Sequence, residues 1–339
     1  MQQFLTGDSN NPYLGPLVHQ YPWLTEVETT RPPASRILIG DGLGLLFIEL
    51  TDRCNERCIH CYAESSPERS GRLELHEIRK ALKEARGLGN PAVQFTGGDP
   101  LIHPDIVEAV TAARGLGYER VEIYTNGLAL NDAMLRQLLP PQPDFAFSVY
   151  AHDAAVHDRI TQVPGSLART LAAVRRVLDA GLKVRIGIVL MPENRGCEAG
   201  TVRFLQDELS IAPSQIGLDV VRSTGRGRFM GYYQPDLQDL HGFGHRPDMP
   251  AAGNAPPGRR GKLCVSAGGN VYSCIFSRRI SLGNIHHQSL AEIMSSLDRR
   301  ELPKPSERRW RQCRQGLSCS DCRAIAYALG EQGGVNAAA

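Results

Sequence analysis

The chain has 339 residues, which at roughly 150 residues per domain allows two domains or one large barrel with an appendage. Its 38 Lys and Arg against 36 Asp and Glu leave a net charge of +2, so no strong field of either sign argues for nucleic acid or a membrane surface, and a small molecule or peptide fits better as substrate. With 42% hydrophobic and 22% charged residues the composition is that of a globular protein, which excludes wholesale disorder, collagen and coiled coil.

In chain order, residues 1–44 carry turn formers and short apolar pieces and read as an irregular N-terminal extension. From residue 45 onward, short β-rich runs alternate with amphipathic segments, the signature of a parallel sheet covered by helices. Strands are predicted over 45–50, 92–96, 120–125, 144–149, 183–190 and 215–221, with helices over 75–88, 106–116, 131–138, 167–180 and 197–209. Six strands are fewer than the eight of a closed barrel, so the fold class is α/β, a partial (β/α)6 barrel over 45–228. Residues 229–261, rich in Gly and Pro, read as a linker or substrate-facing loop. A hairpin over 262–273 turning at Gly268-Gly269-Asn270 and a short helix over 290–297 follow, within a small C-terminal domain over 262–325 and before a fraying tail over 326–339. No apolar run approaches the ~20 residues that span a bilayer, and the N-terminus lacks the pattern of a secretory signal, so a cytoplasmic location is expected.

Nine cysteines, an odd number, fall mostly into two groups, which points to metal ligation over a disulfide framework. The first group, Thr51-Asp52-Arg53-Cys54-Asn55-Glu56-Arg57-Cys58-Ile59-His60-Cys61, follows the first strand directly and so belongs at the C-terminal mouth of the barrel. Three thiolates on one short loop can each hold one iron of a [4Fe–4S] cube and leave the fourth iron open. Zinc is the alternative occupant, but His60 is awkwardly placed to be a fourth ligand.

The Cys-x3-Cys-x2-Cys spacing after the first strand resembles the signature of the radical S-adenosylmethionine (radical SAM) superfamily. The resemblance implies that Cys54, Cys58 and Cys61 hold a [4Fe–4S] cluster with an open iron site, which S-adenosylmethionine (SAM) chelates; the reduced cluster then cleaves SAM to methionine and a 5′-deoxyadenosyl radical. By the same likeness His60 lies against the adenine, and Gly97-Gly98-Asp99-Pro100 is similar to the motif that meets the SAM ammonium, here with Asp in place of the commoner Glu. Asn126 after the third strand and Ser148 in the fourth stand where the family contacts ribose, and Arg222 after the sixth could fork onto the SAM carboxylate. Arg226 and Arg228 read equally well as a solvated basic loop.

The second group comprises Cys264, Cys274, Cys313, Cys319 and Cys322. The stretches 269–274 and 282–285 resemble the auxiliary-cluster domain called SPASM or, in its shortened form, twitch. This implies one auxiliary iron–sulfur cluster, of [4Fe–4S] type, on Cys264, Cys274, Cys319 and Cys322, with Cys313 replacing Cys319 or standing free. Cys197, after the fifth strand, either returns a hydrogen atom to a substrate radical or is a small buried apolar residue.

The family likeness implies an enzyme that abstracts a hydrogen atom from a substrate, and first among its relatives stand maturases that oxidise, cross-link or epimerise a ribosomally made precursor peptide. A dehydrogenase or epimerase acting on an aminoglycoside-type sugar is the alternative, and a zinc-binding interaction protein a remote one. Residues 1–44 are too few for a winged-helix leader-binding domain, so either a separate leader-peptide-binding protein or a non-peptide substrate is expected, beside a flavodoxin- or ferredoxin-type reductant.

Overall fold

The computed structural model describes residues 43–222, 224–230, 261–276, 278 and 281–297. The expectations for the N-terminal extension, the linker, the tail and Cys313, Cys319 and Cys322 therefore lie outside the described residues.

The alternation in the sequence becomes six parallel strands: β1 Leu43–Thr51, β2 Ala92–Gly97, β3 Arg120–Thr125, β4 Asp144–Ser148, β5 Val184–Leu190 and β6 Ile216–Val220. Each pairs with the next in sequence, and β1 and β6 do not meet, so the barrel is open. Six helices cover one face: α1 Leu75–Gly87, α2 Ile106–Gly115, α3 Asp132–Leu138, α4 Ala154–Thr161, α5 Ser166–Asp179 and α6 Glu198–Leu209. Helix α1 shows why these segments are helical, since Ile78, Ala81, Leu82 and Ala85 recur at one-turn spacing and are all buried. They share one buried core with alternate strand residues, Ile48 in β1, Phe95 in β2 and Phe145 in β4 among them, each with no accessible surface. Burying each such side chain contributes roughly 1.5–3 kcal/mol.

Helix α4 is not among the predicted elements. It is eight residues long, AAVHDRIT, too short for a clear apolar stripe, and it forms because the Asp153 side chain accepts from the Ala155 and Val156 amides at its N-terminus.

The sequence places the C-terminal hairpin after the barrel has ended, but the structure makes it part of the barrel sheet. Strand β7, Gly261–Val265, runs parallel to β1 on the edge opposite β6, with Phe47 in register with Cys264. Strands β8 Asn270–Tyr272 and β9 Gly283–Asn284 continue it antiparallel, and α7 Leu290–Leu297 follows. The segment is fastened to α1 by Lys80, which donates to the Ile285 carbonyl at 2.9 Å, and by Glu84, which accepts from the Leu290 amide at 2.7 Å. A cysteine of the second group thus lies one strand away from the strand that leads into the first.

Candidate radical SAM site

Alternation turns the other strand residues, Phe47 and Glu49 of β1, Gln94 and Thr96 of β2 and Glu122 and Tyr124 of β3, away from the helices and toward the concave side. Toward the N-terminal ends of the strands that side is closed by ion pairs. Arg185 of β5 forks onto Glu122 at 2.8 and 2.7 Å, and Arg120 and Gln94 bond the same carboxylate. The cysteine loop sits at the other end, where β1 stops.

That loop is held by its backbone. The Cys54 amide donates to the Ser66 carbonyl at 3.1 Å, Arg57 to Thr161 at 3.1 Å and Ile59 to Ile160 at 3.0 Å, so α4 is the ledge on which the loop rests. The Arg226 side chain spans it from the far side, its Nε and Nη2 each 2.8 Å from a carbonyl, of Cys58 and Ser65 respectively, while its amide donates to Cys61 at 3.0 Å. Gly225 precedes it at a φ of 58°, where a β-carbon would meet the Cys61 and Tyr62 carbonyl oxygens at 2.4 Å. The basic loop after β6 is thus a clasp on the cysteine loop.

The Gly-Gly-Asp-Pro turn docks from the other side. Gly98 donates to Thr51 at 2.7 Å and Asp99 to Arg53 at 3.0 Å, and Pro100 opens a 3-10 turn, Pro100–Ile102. Gly97 has a φ of 122° and would place a β-carbon 2.4 Å from the Thr51 carbonyl oxygen. Asp99 is fully buried. One of its oxygens accepts from the Leu101 amide at 2.9 Å, the other from the Thr125 hydroxyl at 2.7 Å and the Asn126 amide at 2.9 Å. Burial raises its carboxyl to about 6, against the pull of these three donors. Asn126 carries the link onward, its Nδ2 lying 2.6 Å from Asn55 Oδ1 and 3.8 Å from the Cys54 sulfur.

Burial, reinforced by Asp99 at Cys54 and by Glu56 at Cys58, pushes both thiols well above the usual range. They are thiolates only where a nearby cation compensates them, which is what iron supplies. Cys54, Cys58 and Cys61 each lie close enough to feel the others' charge, yet no three His, Cys, Asp or Glu among the described residues surround one point as a lone ion requires. The donor set fits an iron–sulfur cluster of which one corner is left to a non-protein ligand. His60 packs edge-on against Tyr150 with ring centres 4.7 Å apart, and its buried Nδ1 has no partner among the described residues, so it suits a ligand that brings a donor or acceptor of its own. Burial, with Arg226 nearby, lowers the ring's pKa to about 4 and keeps it neutral.

Of the other predicted residues, Ser148 ends β4 beside the Tyr124 and Tyr150 side chains. Arg222 pairs with Asp219 at 2.5 Å and stacks on Phe276 at 5.4 Å, which joins the end of β6 to the segment after Cys274. Cys264 and Cys274 are both buried. Cys197 sits at the N-terminus of α6 with Asp153, Glu198 and Arg159 as charged neighbours. Glu56 was missed. It is a buried carboxylate bonded to Ser166 at the start of α5 and to the Cys58 thiol at 3.2 Å, and the only hint in the sequence is its place between two cysteines.

Comparison with known proteins agrees with this geometry. Residues 48–205 match the model of the Radical SAM superfamily and residues 258–323 that of SPASM, an iron–sulfur cluster-binding domain. The chain is 27% identical over 269 residues to the antilisterial bacteriocin subtilosin biosynthesis protein AlbA of Bacillus subtilis, covering 73% of this chain and 58% of that protein. It is 28% identical over 205 residues to a probable GTP 3′,8-cyclase of Saccharolobus solfataricus, covering 60% and 65%. The chain therefore spans about three fifths of the length of these curated relatives. Among solved structures, Streptococcus suis SuiB bound to precursor peptide SuiA superposes with a TM-score of 0.62 at 16% identity over 87% of this chain and 74% of that one. Native anSMEcpe with bound AdoMet gives 0.57 at 15% over 74% and 80%. These last two likenesses concern the fold. No helix among the described residues is long and apolar enough to cross a membrane. With the cysteine loop, the open parallel barrel and the two matched domains in agreement, the chain carries a radical SAM domain followed by a SPASM domain, which together imply a [4Fe–4S] cluster, SAM and auxiliary iron–sulfur ligation.

Proposed function

We propose that this radical SAM enzyme matures a ribosomally made peptide, by oxidation, cross-linking or epimerisation of a residue held on the concave face of the barrel. When bound, a [4Fe–4S] cluster and SAM would supply the 5′-deoxyadenosyl radical chemistry by which a hydrogen atom is taken from the substrate. Cys54, Cys58 and Cys61 would hold that cluster, and Cys264 and Cys274, with two of Cys313, Cys319 and Cys322, an auxiliary one. The protein's own work is positional. Arg226 and α4 fix the cysteine loop, the backbone of Gly97-Gly98-Asp99-Pro100 fixes its other flank, and His60, Asn126, Ser148 and Arg222 would meet SAM around the rim. The ion-paired residues at the opposite end close that side of the chamber.

The observation that carries this reading is the placement of Cys264 on β7, beside the strand that delivers the first cysteine loop, because an acceptor near the radical source allows a substrate radical to be oxidised. Peptide is favoured over a nucleotide or sugar because the match to the bacteriocin biosynthesis protein extends over 73% of the chain, against 60% for the cyclase. A flavodoxin- or ferredoxin-type reductant completes the system.

The test uses anaerobically reconstituted protein with reductant, SAM and a candidate precursor peptide. Release of 5′-deoxyadenosine together with a two-hydrogen mass loss indicates oxidation, and solvent deuterium in the product indicates epimerisation through a donor such as Cys197. Substituting Cys58→Ala is expected to abolish SAM cleavage, and turnover surviving that change refutes the proposal.

A further inference from the structure

Glu49 is the one carboxylate that β1 turns toward the concave face, and it is 3% exposed. A buried carboxylate beside a thiol that is to carry iron is costly unless something balances it. Arg278, four residues after Cys274, supplies the balance by bonding Glu49 directly. Its Nε is anchored 2.9 Å from the Ile275 carbonyl, and its guanidinium lies 5.1 Å from the ring centre of Tyr62 and 5.7 Å from that of Tyr272. Tyr62 is the residue after Cys61, and Tyr272 is in register with Cys264. Cys264 has no accessible surface and lies close enough to the Glu49 carboxylate that burial and that charge together raise its thiol. One ion pair therefore touches the barrel's cysteine loop through Tyr62 and the SPASM side through Cys264.

We propose that Glu49 and Arg278 are positioning residues that set the charge around the auxiliary cluster, and hence its reduction potential and its capacity to accept an electron. The inference rests on the reading that Cys264 is a ligand of that cluster. An ionised pair is neutral as a unit, so Cys264 is buried beside a carboxylate at little net cost in field. Cluster potentials follow net charge and hydrogen bonding to the sulfurs. Removing one partner alters the potential, and removing both restores it. A pair that merely fills space has no reason to behave this way.

The experiment is a potentiometric titration of the full reconstituted chain, followed by electron paramagnetic resonance, with the auxiliary signal identified in the Cys58→Ala variant. In Glu49→Gln the guanidinium is left unopposed, and the auxiliary midpoint is expected to move positive. Adding Arg278→Met is expected to bring it back toward the wild-type value, and Glu49→Asp, which keeps the charge, to leave it in place. An unchanged midpoint in Glu49→Gln, a double variant shifted as far as the single one, or loss of the auxiliary iron in Glu49→Gln and Glu49→Asp alike overturns the proposal. Cys264→Ala separates the underlying reading. If that variant keeps full iron and the auxiliary signal, Cys264 is not a ligand, whatever the titrations of the pair give.

Discussion

Gly98 packs so closely on Arg53 that a β-carbon added to it would lie 1.8 Å from the Arg53 carbonyl oxygen. The glycines of the turn after β2 are therefore required by the cysteine loop itself, apart from any approach to a ligand. Two loops at the ends of adjacent strands are joined backbone to backbone, and their mutual position fixes where the proposed iron ligand Cys54 and the proposed SAM-facing turn stand.

Gly98→Ala tests that union. The obstructing atoms are main-chain and cannot rotate aside, so either the turn or the cysteine loop must shift, at a cost on the order of 1–3 kcal/mol, typical of overpacking. The expected outcome is a folded protein that retains less iron after reconstitution and loses most SAM cleavage. Iron analysis beside circular dichroism checks it, and wild-type iron with wild-type cleavage would refute the union as described.

Asp99→Asn tests the strap between β2 and β3. The carboxylate accepts three hydrogen bonds without donating any, whereas an amide turns one of its two oxygens into a donor and faces it with an N–H or O–H. A buried mismatch of this kind costs about 1–3 kcal/mol. A lower unfolding midpoint is expected, with a KM for SAM raised roughly tenfold, the equivalent of about 1.4 kcal/mol, as Asn126 loses its anchor. Thermal unfolding and the SAM dependence of 5′-deoxyadenosine release measure the two effects separately.

The parallel barrel was legible because each strand and helix carries its own period, and the cysteine loop because three thiols in eight residues have few other uses. What was not legible depends on contacts distant in sequence. Arg226 reads as one of several basic residues until its guanidinium is seen on the Cys58 and Ser65 carbonyls. Nothing local in GKLCV states that it will pair with β1 and not stand apart, since the partner lies more than two hundred residues earlier. Helix α4 escaped for the opposite reason, being too short for its period to register.

Arg226 supplies a prediction in which kinetics and folding part company. Its two side-chain bonds end on carbonyls of the cysteine loop, so Arg226→Met frees that loop while the barrel core stays intact. Hydrogen bonds from a charged donor are worth about 1.5–3 kcal/mol each. A fall in SAM cleavage of tenfold or more is expected, with little change in the far-ultraviolet dichroism, and Arg226→Lys should restore part of it because the ammonium reaches one of the two carbonyls. Equal activity in the Met and Lys variants would show that the clasp is idle.

The ion pairs at the closed end of the barrel give a pH-dependent prediction. Burial pushes the Glu122 carboxyl up, but the Arg185 and Arg120 guanidiniums, together with Gln94, more than reverse this and hold it at about 2, below an ordinary value of 4.5. A carboxylate lowered in the folded state contributes stability that is fully present above pH 4.5 and is lost as the pH falls from there toward 2. At about 1.4 kcal/mol per pH unit, the contribution is of order 3 kcal/mol. Glu122→Gln keeps the shape but leaves two guanidiniums facing a neutral amide, so at neutral pH it is expected to lose several kcal/mol, in the range of about 3–5 for a broken buried pair. Urea unfolding followed by sheet dichroism should show the wild type and the variant far apart at pH 7 and converging below pH 4.5, because the wild type then surrenders the charge that the variant never had. A gap that stays constant across that interval would mean that packing around Glu122, and not its ionisation, stabilises the closed end of the barrel.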